Sequence, residues 1–183
     1  DMRKPDCPLP PVPTDLHTHL GFRSASGELQ TDTKATTFWV GTWNVGTVDP
    51  LANIKSPTER AHVLSEFAPI GYDVYVLGLQ EGINDSIFDA LAIRLTGSGL
   101  QRVELRSRNG TIVDRVKGRV DGAIVSPKFT ALACFVRRQL LTDGSCSIIE
   151  CATVSESVGS KGAVAFVMQC NGSIIFFINC NCS

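Results

Sequence analysis

The sequence predicts a mixed α/β fold with a parallel first half and a largely antiparallel second half. Up to Glu81 the apolar segments follow the pattern strand, helix, strand, and that order predicts a parallel pair joined by a right-handed crossover. Beyond Gly99 six short β-like segments follow one another, separated by turn residues. The chain has 183 residues, 43% of them hydrophobic, so it is long enough to bury a core as one domain.

The two strands of the first half differ in character. The segment TTFWVGTWNV, residues 36–45, is rich in the β-branched and aromatic residues that favour strands. The segment YDVYVLGLQE, residues 72–81, contains the run VYVLGL, which is apolar without alternation. A run of that kind predicts a strand that is covered on both faces.

Two helices are predicted in the first half from their capping residues. The first begins at Ser56 as N-cap, with Pro57 at the first helical position and Glu59 completing a capping box. The second is predicted from about Ile87 to Leu95, with Ser86 as its N-cap. Apolar residues at helical spacing give each of them one buried face.

The second half is predicted to pair as antiparallel strands. Asn171-Gly172 joins the last two segments, and this dipeptide is the strongest two-residue hairpin signal. The six β-like segments are QRVELRS, GTIVDRV, TALACFVRR, SIIECATVS, AVAFVMQC and SIIFFINC.

The start of the chain differs from the rest in composition. Residues 1–35 contain five of the nine prolines and little apolar periodicity. We therefore expect a disordered or loosely ordered leader over residues 1–35 and a single domain over residues 36–183.

Charge and cysteine content restrict the class of protein. The net charge of -1 gives no long-range field, so charge alone favours neither a nucleic acid nor an anionic membrane as partner. No apolar run reaches the roughly 18 residues of a transmembrane segment, and the polar, proline-rich start does not have the pattern of a signal peptide. Seven cysteines without a C-x-x-C pair predict reduced thiols packed as small hydrophobes. These features predict a cytoplasmic protein.

Two polar side chains follow the predicted parallel strands at the same edge. Asn44 ends the first strand, and Glu81 ends the second, next to Gln80. Open α/β sheets bind ligands at this carboxyl edge, and one carboxylate with amide oxygens suits Mg²⁺, which keeps several of its waters. The alternative interpretation is structural: Asn44 turns the chain, and Glu81 caps the helix that begins near Ser86.

A glycine-rich loop precedes one of the later strands. It contains Gly159, Ser160, Lys161 and Gly162. Backbone N–H groups together with a lysine can hold a phosphate. The spacing is not that of a P-loop, and no helix follows. An ordinary β-turn is the alternative interpretation.

Four motifs in order carry a resemblance to a known family: GTWNVG at 41–46, VLGLQE at 76–81, LACFVRRQL at 132–140 and GSKGAVAFVMQCNGSIIFFINC at 159–180. Together they resemble the catalytic domain of the inositol polyphosphate 5-phosphatases, within the exonuclease–endonuclease–phosphatase superfamily. The resemblance implies the first part of a four-layer α/β sandwich of the DNase I-like type. It also implies Mg²⁺-dependent removal of the 5-phosphate from phosphoinositides or inositol polyphosphates, with peripheral contact to a membrane as an option.

The resemblance also implies roles for individual residues. Glu81 would hold the Mg²⁺, Asn44 would orient phosphate and attacking water, and Lys161 with Gly162 would lie near the substrate phosphates. Where the family continues into a histidine-containing stretch, this sequence has Asn181, and the family's later acidic and histidine motifs have no counterpart. We therefore expect a C-terminally truncated domain with little or no activity, since general-base catalysis is worth about 10²–10⁴-fold.

Other functions stay open at this point. The chain could be a non-catalytic remnant that binds a phosphoinositide or a protein partner, or another phosphodiesterase of the same superfamily. His17 and His19 form an H-x-H pair like the first ligands of some metal-dependent hydrolases, but a proline-rich stretch rather than a strand precedes them. A chance pair in the leader is the simpler explanation, and a weak surface metal site is the other.

Overall fold

The computed structural model describes residues 35–117, 128–155 and 161–182. Residues 1–34 of the predicted leader, with His17 and His19, lie outside the described residues. The elements are β1 (Phe38–Asn44), α1 (Pro57–Val63), β2 (Val74–Gly82), α2 (Ser86–Thr96), β3 (Leu100–Val103), β4 (Arg115–Lys117), β5 (Phe129–Arg137), α3 (Arg138–Thr142), β6 (Cys146–Ser155), β7 (Gly162–Cys170) and β8 (Ser173–Asn181).

The strands form two sheets whose pairing follows the predicted pattern. The first sheet has the order β1-β2-β5-β3, with β4 beside β5. Its β1 and β2 are parallel, and its other pairs are antiparallel. The second sheet is the antiparallel series β6-β7-β8. Asn171 and Gly172 join β7 to β8 with φ angles of 48° and 79°, as a two-residue hairpin requires. The predicted parallel pair and the predicted hairpin are both confirmed.

The helix ends agree with the sequence at one cap and differ at the other. Ser56 accepts a hydrogen bond from Glu59 N, which confirms the N-cap of α1. Helix α2 begins at Ser86, and Asp85 occupies its N-cap position. The prediction that Ser86 caps this helix is wrong, because Ser86 is already its first helical residue. Its hydroxyl donates to Asp49 Oδ1 at 2.7 Å.

Helices α1 and α2 cover one face of the first sheet. Leu64 and Ala68 follow the end of α1 and are buried in the same core as Leu91 and Leu95 of α2. This core also contains Phe135 from the sheet. The short helix α3 was not predicted, because its five residues are too few to show a helical period. None of the helices in the described ranges is both long and apolar enough to cross a membrane.

A second core lies between the two sheets. Val76 and Cys134 of the first sheet pack in one cluster with Phe166 and Met168 of the second. The described residues therefore form three layers: helices, a mixed sheet and an antiparallel sheet. This arrangement confirms the predicted α/β class, with three of the four expected layers present among these residues.

One cysteine pair departs from the prediction of reduced thiols. Cys146 and Cys170 lie directly opposite each other at one end of the β6-β7 pair and form a disulfide. Two directly opposed cysteines on neighbouring strands are close enough to be bridged. The free cysteines of the described residues include Cys134, whose pKa is raised by burial in the inter-sheet core.

The outer face of the second sheet is apolar and open to solvent. On β8 the exposed fractions are 53% for Ile174, 67% for Phe176 and 68% for Ile178, and on β6 Val154 is 68% exposed. Alternate residues of a strand point to opposite faces, so these side chains lie on the face opposite the inter-sheet core. Exposed apolar patches of this kind favour association.

We predict that the chain binds hydrophobic dyes and self-associates through this outer face. Replacing Phe176 and Ile178 together by lysine should reduce both dye fluorescence and the apparent mass in analytical ultracentrifugation. Ile93→Lys is the matched control, because Ile93 is an exposed isoleucine on α2, 46% accessible. An equal reduction by the control would contradict the assignment to this face.

A buried carboxylate ties together the opposite edge of the first sheet. Asp73 precedes β2 and accepts hydrogen bonds from Arg137 Nε at 2.7 Å and from Thr37 Oγ1 at 2.9 Å. Burial alone would raise the pKa of Asp73, but the hydrogen bonds from Arg137 and Thr37 outweigh it and hold the pKa below its usual value. This contact joins the beginnings of β1 and β2 to the end of β5.

The lowered pKa of Asp73 makes its contribution depend on pH. A carboxyl with a depressed folded-state pKa stabilises the protein fully above its ordinary value of 3.8, and loses that effect as the pH falls through the lowered value. Asp73→Asn should lower the free energy of unfolding by about 1–3 kcal/mol near neutral pH. Urea unfolding should show this difference shrinking below about pH 4. The exposed Asp89→Asn should show a much smaller effect, and equal effects of the two changes would contradict the prediction.

Candidate active site

Asn44 and Glu81 lie at the same edge of the first sheet. The parallel register of β1 and β2 places Asn44 opposite Gln80, one residue before Glu81. Beyond the last pair the chains stay together, because Val45 N donates to Gln80 O at 3.0 Å and Thr47 N donates to Glu81 O at 3.1 Å. The crossover therefore brings the two predicted side chains to one carboxyl edge.

Glu81 occupies a bulge in β2. The pairing of β2 with β5 shifts between Leu79 and Gly82, so the residues between them fall outside the regular ladder. Glu81 has a φ of 56°, an angle that costs free energy for a residue with a side chain. Its side chain is 26% exposed. The bulge thus turns the Glu81 carboxylate out of the sheet at the edge.

Asn179 of the second sheet holds this bulge from the inside. Its Nδ2 donates to Leu79 O at 3.0 Å and to Ala131 O at 2.7 Å, and its Oδ1 accepts from Gln80 Nε2. The amide lies directly over Gly78, where a Cβ would come within 2.7 Å of Asn179 Cγ. Asn179 is only 5% exposed. All of its contacts are therefore made away from water, where an unpaired amide or carbonyl is costly.

The same network extends to β1. Gln80 Nε2 also donates to Thr42 Oγ1 at 2.8 Å, two residues before Asn44. Asn44 itself is exposed, and its Oδ1 accepts from Gly46 N at 3.0 Å, which turns the chain after β1. Asn44 therefore turns the chain after β1, as the structural interpretation of the sequence proposed. The helix-capping role considered for Glu81 is not present, since Asp85 is the N-cap of α2.

Lys161 and Gly162 lie on the second sheet, at the end of β8. Lys161 Nζ donates to Asn181 Oδ1 at 3.0 Å and to the Cys182 carbonyl at 3.1 Å. Gly162 has a φ of 151°, and a Cβ there would collide with the Val154 carbonyl, so glycine is required by the backbone. Asn181 is 7% exposed, and its Nδ2 lacks a hydrogen-bond partner among the described residues.

Strand β8 runs toward the edge that carries Asn44 and Glu81. The ring of Phe177 lies 6.3 Å from that of Phe38, at the beginning of β1, whereas Asn179 contacts Gln80 near the end of β2. Asn181 lies two residues further in the same direction, about 6–7 Å along the strand. Lys161 is therefore on the same side of the molecule as Glu81, but its hydrogen bonds go to β8.

The acidic groups around Glu81 are held by their own partners. Asp49 accepts hydrogen bonds from Ser86 Oγ and Asn84 Nδ2. Burial opposes ionisation, but these hydrogen bonds outweigh it and lower the pKa of Asp49. These contacts connect the loop after β1 to the N-terminus of α2.

Two cations complete the edge. Arg115 contacts Asp114 and Asp85 and lies 4.9 Å from the centre of the Phe129 ring. Burial alone would lower the pKa of Arg115, but its two carboxylate partners raise it, so the guanidinium stays charged. Lys128, just before β5, lies with its Nζ 3.4 Å from Glu81 Oε2.

The donor set at Glu81 fits a hydrated divalent cation. Within the described ranges no group of three or more His, Cys, Asp or Glu side chains is arranged to hold a metal. One carboxylate is nevertheless enough for Mg²⁺, which keeps most of its waters. The Lys128 ammonium already places a positive charge at the Glu81 carboxylate. Glu81 is the carboxylate at this edge that could hold the ion, and Asn44 lies opposite Gln80, the residue before it.

The sequence of this chain is similar to those of curated phosphatases. Over 147 residues the chain is 25% identical to phosphatidylinositol 3,4,5-trisphosphate 5-phosphatase 2 of mouse and of human. The match covers 78% of this chain and 11% of each relative, so the chain spans about a tenth of their length. No family model matches the sequence.

Two solved structures are similar to this chain. The inositol polyphosphate 5-phosphatase domain of spsynaptojanin, bound to inositol (1,4)-bisphosphate and calcium, has a TM-score of 0.49 and 22% identity, covering 78% of this chain and 39% of that one. An endonuclease/exonuclease/phosphatase family protein from Leptotrichia buccalis has a TM-score of 0.43 and 15% identity, covering 81% and 54%.

The curated relatives confirm the resemblance that the four motifs indicated. Over most of its length the chain is similar to phosphatidylinositol 3,4,5-trisphosphate 5-phosphatase 2. The individual roles of Asn44, Glu81, Lys161 and Gly162 stay predictions.

Sequence reasoning missed two residues of this edge. Asn179 is an amide within the apolar run SIIFFINC, and its position on the inward face of β8 was a signal that it meets a buried partner. Lys128 gave no such signal, because its contact with Glu81 joins two strands that are far apart in the sequence.

We predict that Asn179→Ala lowers the free energy of unfolding by about 2–4 kcal/mol, because it removes the buried hydrogen bonds of Asn179 to the Leu79 and Ala131 carbonyls and to the Gln80 amide. Urea unfolding monitored by circular dichroism measures the loss. The control Asn53→Ala changes an exposed asparagine in the loop after β1 and should cost less than about 0.5 kcal/mol. If Asn179→Ala lowers the free energy of unfolding no more than the control does, the stabilising role of the Asn179 hydrogen bonds is contradicted.

Proposed function

We propose that this domain binds a divalent cation at Glu81 and a phosphorylated inositol beside it, as a Mg²⁺-dependent 5-phosphatase does. The observation that carries the proposal is the position of Glu81, which a bulge turns out of the sheet next to the last residue of the parallel β1. The similarity to phosphatidylinositol 3,4,5-trisphosphate 5-phosphatase 2 supports an inositol-linked phosphate as the substrate class.

In this proposal, three residues of the chain have separate roles in binding the ion and the substrate. Glu81 holds the ion, and Asn44 orients the phosphate and the attacking water. A Mg²⁺ ion held by Glu81 would act as a Lewis acid and offset charge on the phosphoryl oxygens. Lys161 exchanges its hydrogen bonds to Asn181 and Cys182 for contacts with substrate phosphate.

We further propose that hydrolysis by this chain is slow. A fast reaction needs a base within hydrogen-bond reach of the attacking water. Asp49 is engaged by Ser86 and Asn84, and Asp85 by Arg115. The histidine of the described residues, His62, lies exposed on α1. The described edge thus offers a metal ligand and phosphate-binding groups without a free base.

Binding and turnover are measured separately to test the proposal. Isothermal titration should detect Mg²⁺ or Mn²⁺ binding that Glu81→Gln weakens by at least about tenfold. Glu66→Gln, an exposed carboxylate just beyond the end of α1, is the matched control and should leave the affinity unchanged. Affinity that is insensitive to Glu81→Gln would overturn the metal site.

Phosphate release from a soluble inositol polyphosphate and from phosphoinositide vesicles measures turnover and the source of the substrate. We expect release close to background with either, and binding of the inositol polyphosphate that Lys161→Ala weakens and Lys55→Ala does not. Rapid Mg²⁺-dependent release would refute slow hydrolysis. Binding to vesicles alone would assign the lipid as ligand and support peripheral contact with a membrane.

A second candidate function is binding without hydrolysis. The observation that favours it is the engagement of Lys161 by Asn181, at the position where the family resemblance predicts a histidine. In this case the ligand should bind equally well with and without Mg²⁺. Metal-dependent binding would favour the phosphatase.

A further inference from the structure

We propose that Lys128 is a built-in counter-ion of Glu81 that competes with a divalent cation for the Glu81 carboxylate. The inference rests on the metal site of the proposed function and assigns a role to a residue outside the family motifs. Lys128 thereby sets how tightly, and at what salt concentration, the edge binds a metal ion.

The contact between the two side chains lies at the bulge in β2. Gly82 pairs with Phe129 in the antiparallel ladder, and Glu81 and Lys128 are the residues that precede this pair on the two strands. Lys128 Nζ donates to Glu81 Oε2 at 3.4 Å. A regular ladder would have kept residue 81 in line with the sheet.

The other carboxylates near this edge have a different cationic partner from Glu81. Arg115 contacts both Asp114 and Asp85. Those two carboxylates therefore have a cation of their own. In the described part of the chain, the ion pair at Glu81 is made by Lys128. The lysine is thus directed to the carboxylate that the proposed function uses.

A divalent ion at Glu81 must displace the ammonium group or share the carboxylate with it. Repulsion between Lys128 and the ion weakens binding in either case. The side chains of Lys128 and Glu81 are 41% and 26% exposed, so dissolved salt partly screens that repulsion. The lysine should therefore reduce metal affinity most strongly at low ionic strength.

Titration of the whole chain with Mn²⁺, followed by electron paramagnetic resonance of the free ion, tests this role. Lys128→Gln removes the charge and keeps a polar side chain of similar reach. We expect it to tighten Mn²⁺ binding by about threefold to tenfold at low salt, with the gain shrinking as salt is added.

The matched control removes a charge from the other end of the same strand. Arg138 follows β5 at its far end, about 30 Å from Lys128. Its side chain is exposed, and Arg138→Gln should leave Mn²⁺ affinity unchanged. A gain equal to that of Lys128→Gln would mean that net charge alone matters, and would overturn the counter-ion role.

Glu81→Gln separates failure of this inference from failure of the metal site. If Glu81→Gln weakens binding while Lys128→Gln changes nothing, the metal site stands and the counter-ion role is overturned. If Glu81→Gln does not change Mn²⁺ affinity in the wild type or in the Lys128→Gln variant, or if no Mn²⁺ binding is found, both the metal site and the counter-ion role are overturned. The rise in melting temperature on adding Mn²⁺ gives a second readout, and it should be larger for Lys128→Gln than for the wild type.

Discussion

The amide of Asn179 connects the two sheets of this domain, and the candidate site depends on that connection. Asn179 Nδ2 donates to the Leu79 and Ala131 carbonyls beside the bulge in β2 that carries Glu81. Without this donor from the second sheet, the two carbonyls would lose these buried hydrogen bonds, which costs free energy. The strained backbone at Glu81 is therefore maintained by packing that lies behind it.

The hydrogen bonds of Asn179 also explain how the ends of β1 and β2 are held at one edge. Gln80 donates to Asn179 on one side and to Thr42 on the other, so the ends of β1 and β2 are fixed to the same amide. At the opposite edge, Asp73 accepts hydrogen bonds from both Thr37 and Arg137 and so connects the strands there. The sheet is thus held at both ends by polar contacts, with apolar side chains in between.

The arrangement of strands could be predicted from local patterns, but the details of the site could not. The run VYVLGL and the Asn171-Gly172 pair predicted the parallel strand and the hairpin, because each signal is contained in a few neighbouring residues. The contact between Lys128 and Glu81 joins residues 47 positions apart, so no local pattern indicates it. Similarly, the sequence misplaced the start of α2 by one residue, and it gave no sign that the Ser86 hydroxyl donates to Asp49 on a distant loop.

Strand β8 carries two separable properties because its side chains alternate. Phe176 and Ile178 point outward, where they are exposed, whereas Phe177 and Asn179 point into the inter-sheet space. A change on the outer face alters association with other surfaces while the inward contacts of the strand remain. A change at Asn179 acts on the bulge, and hence on Glu81, while the outer surface remains the same. Comparing the two kinds of variant therefore separates loss of the site from aggregation of the whole domain, which a measurement of activity alone would confuse.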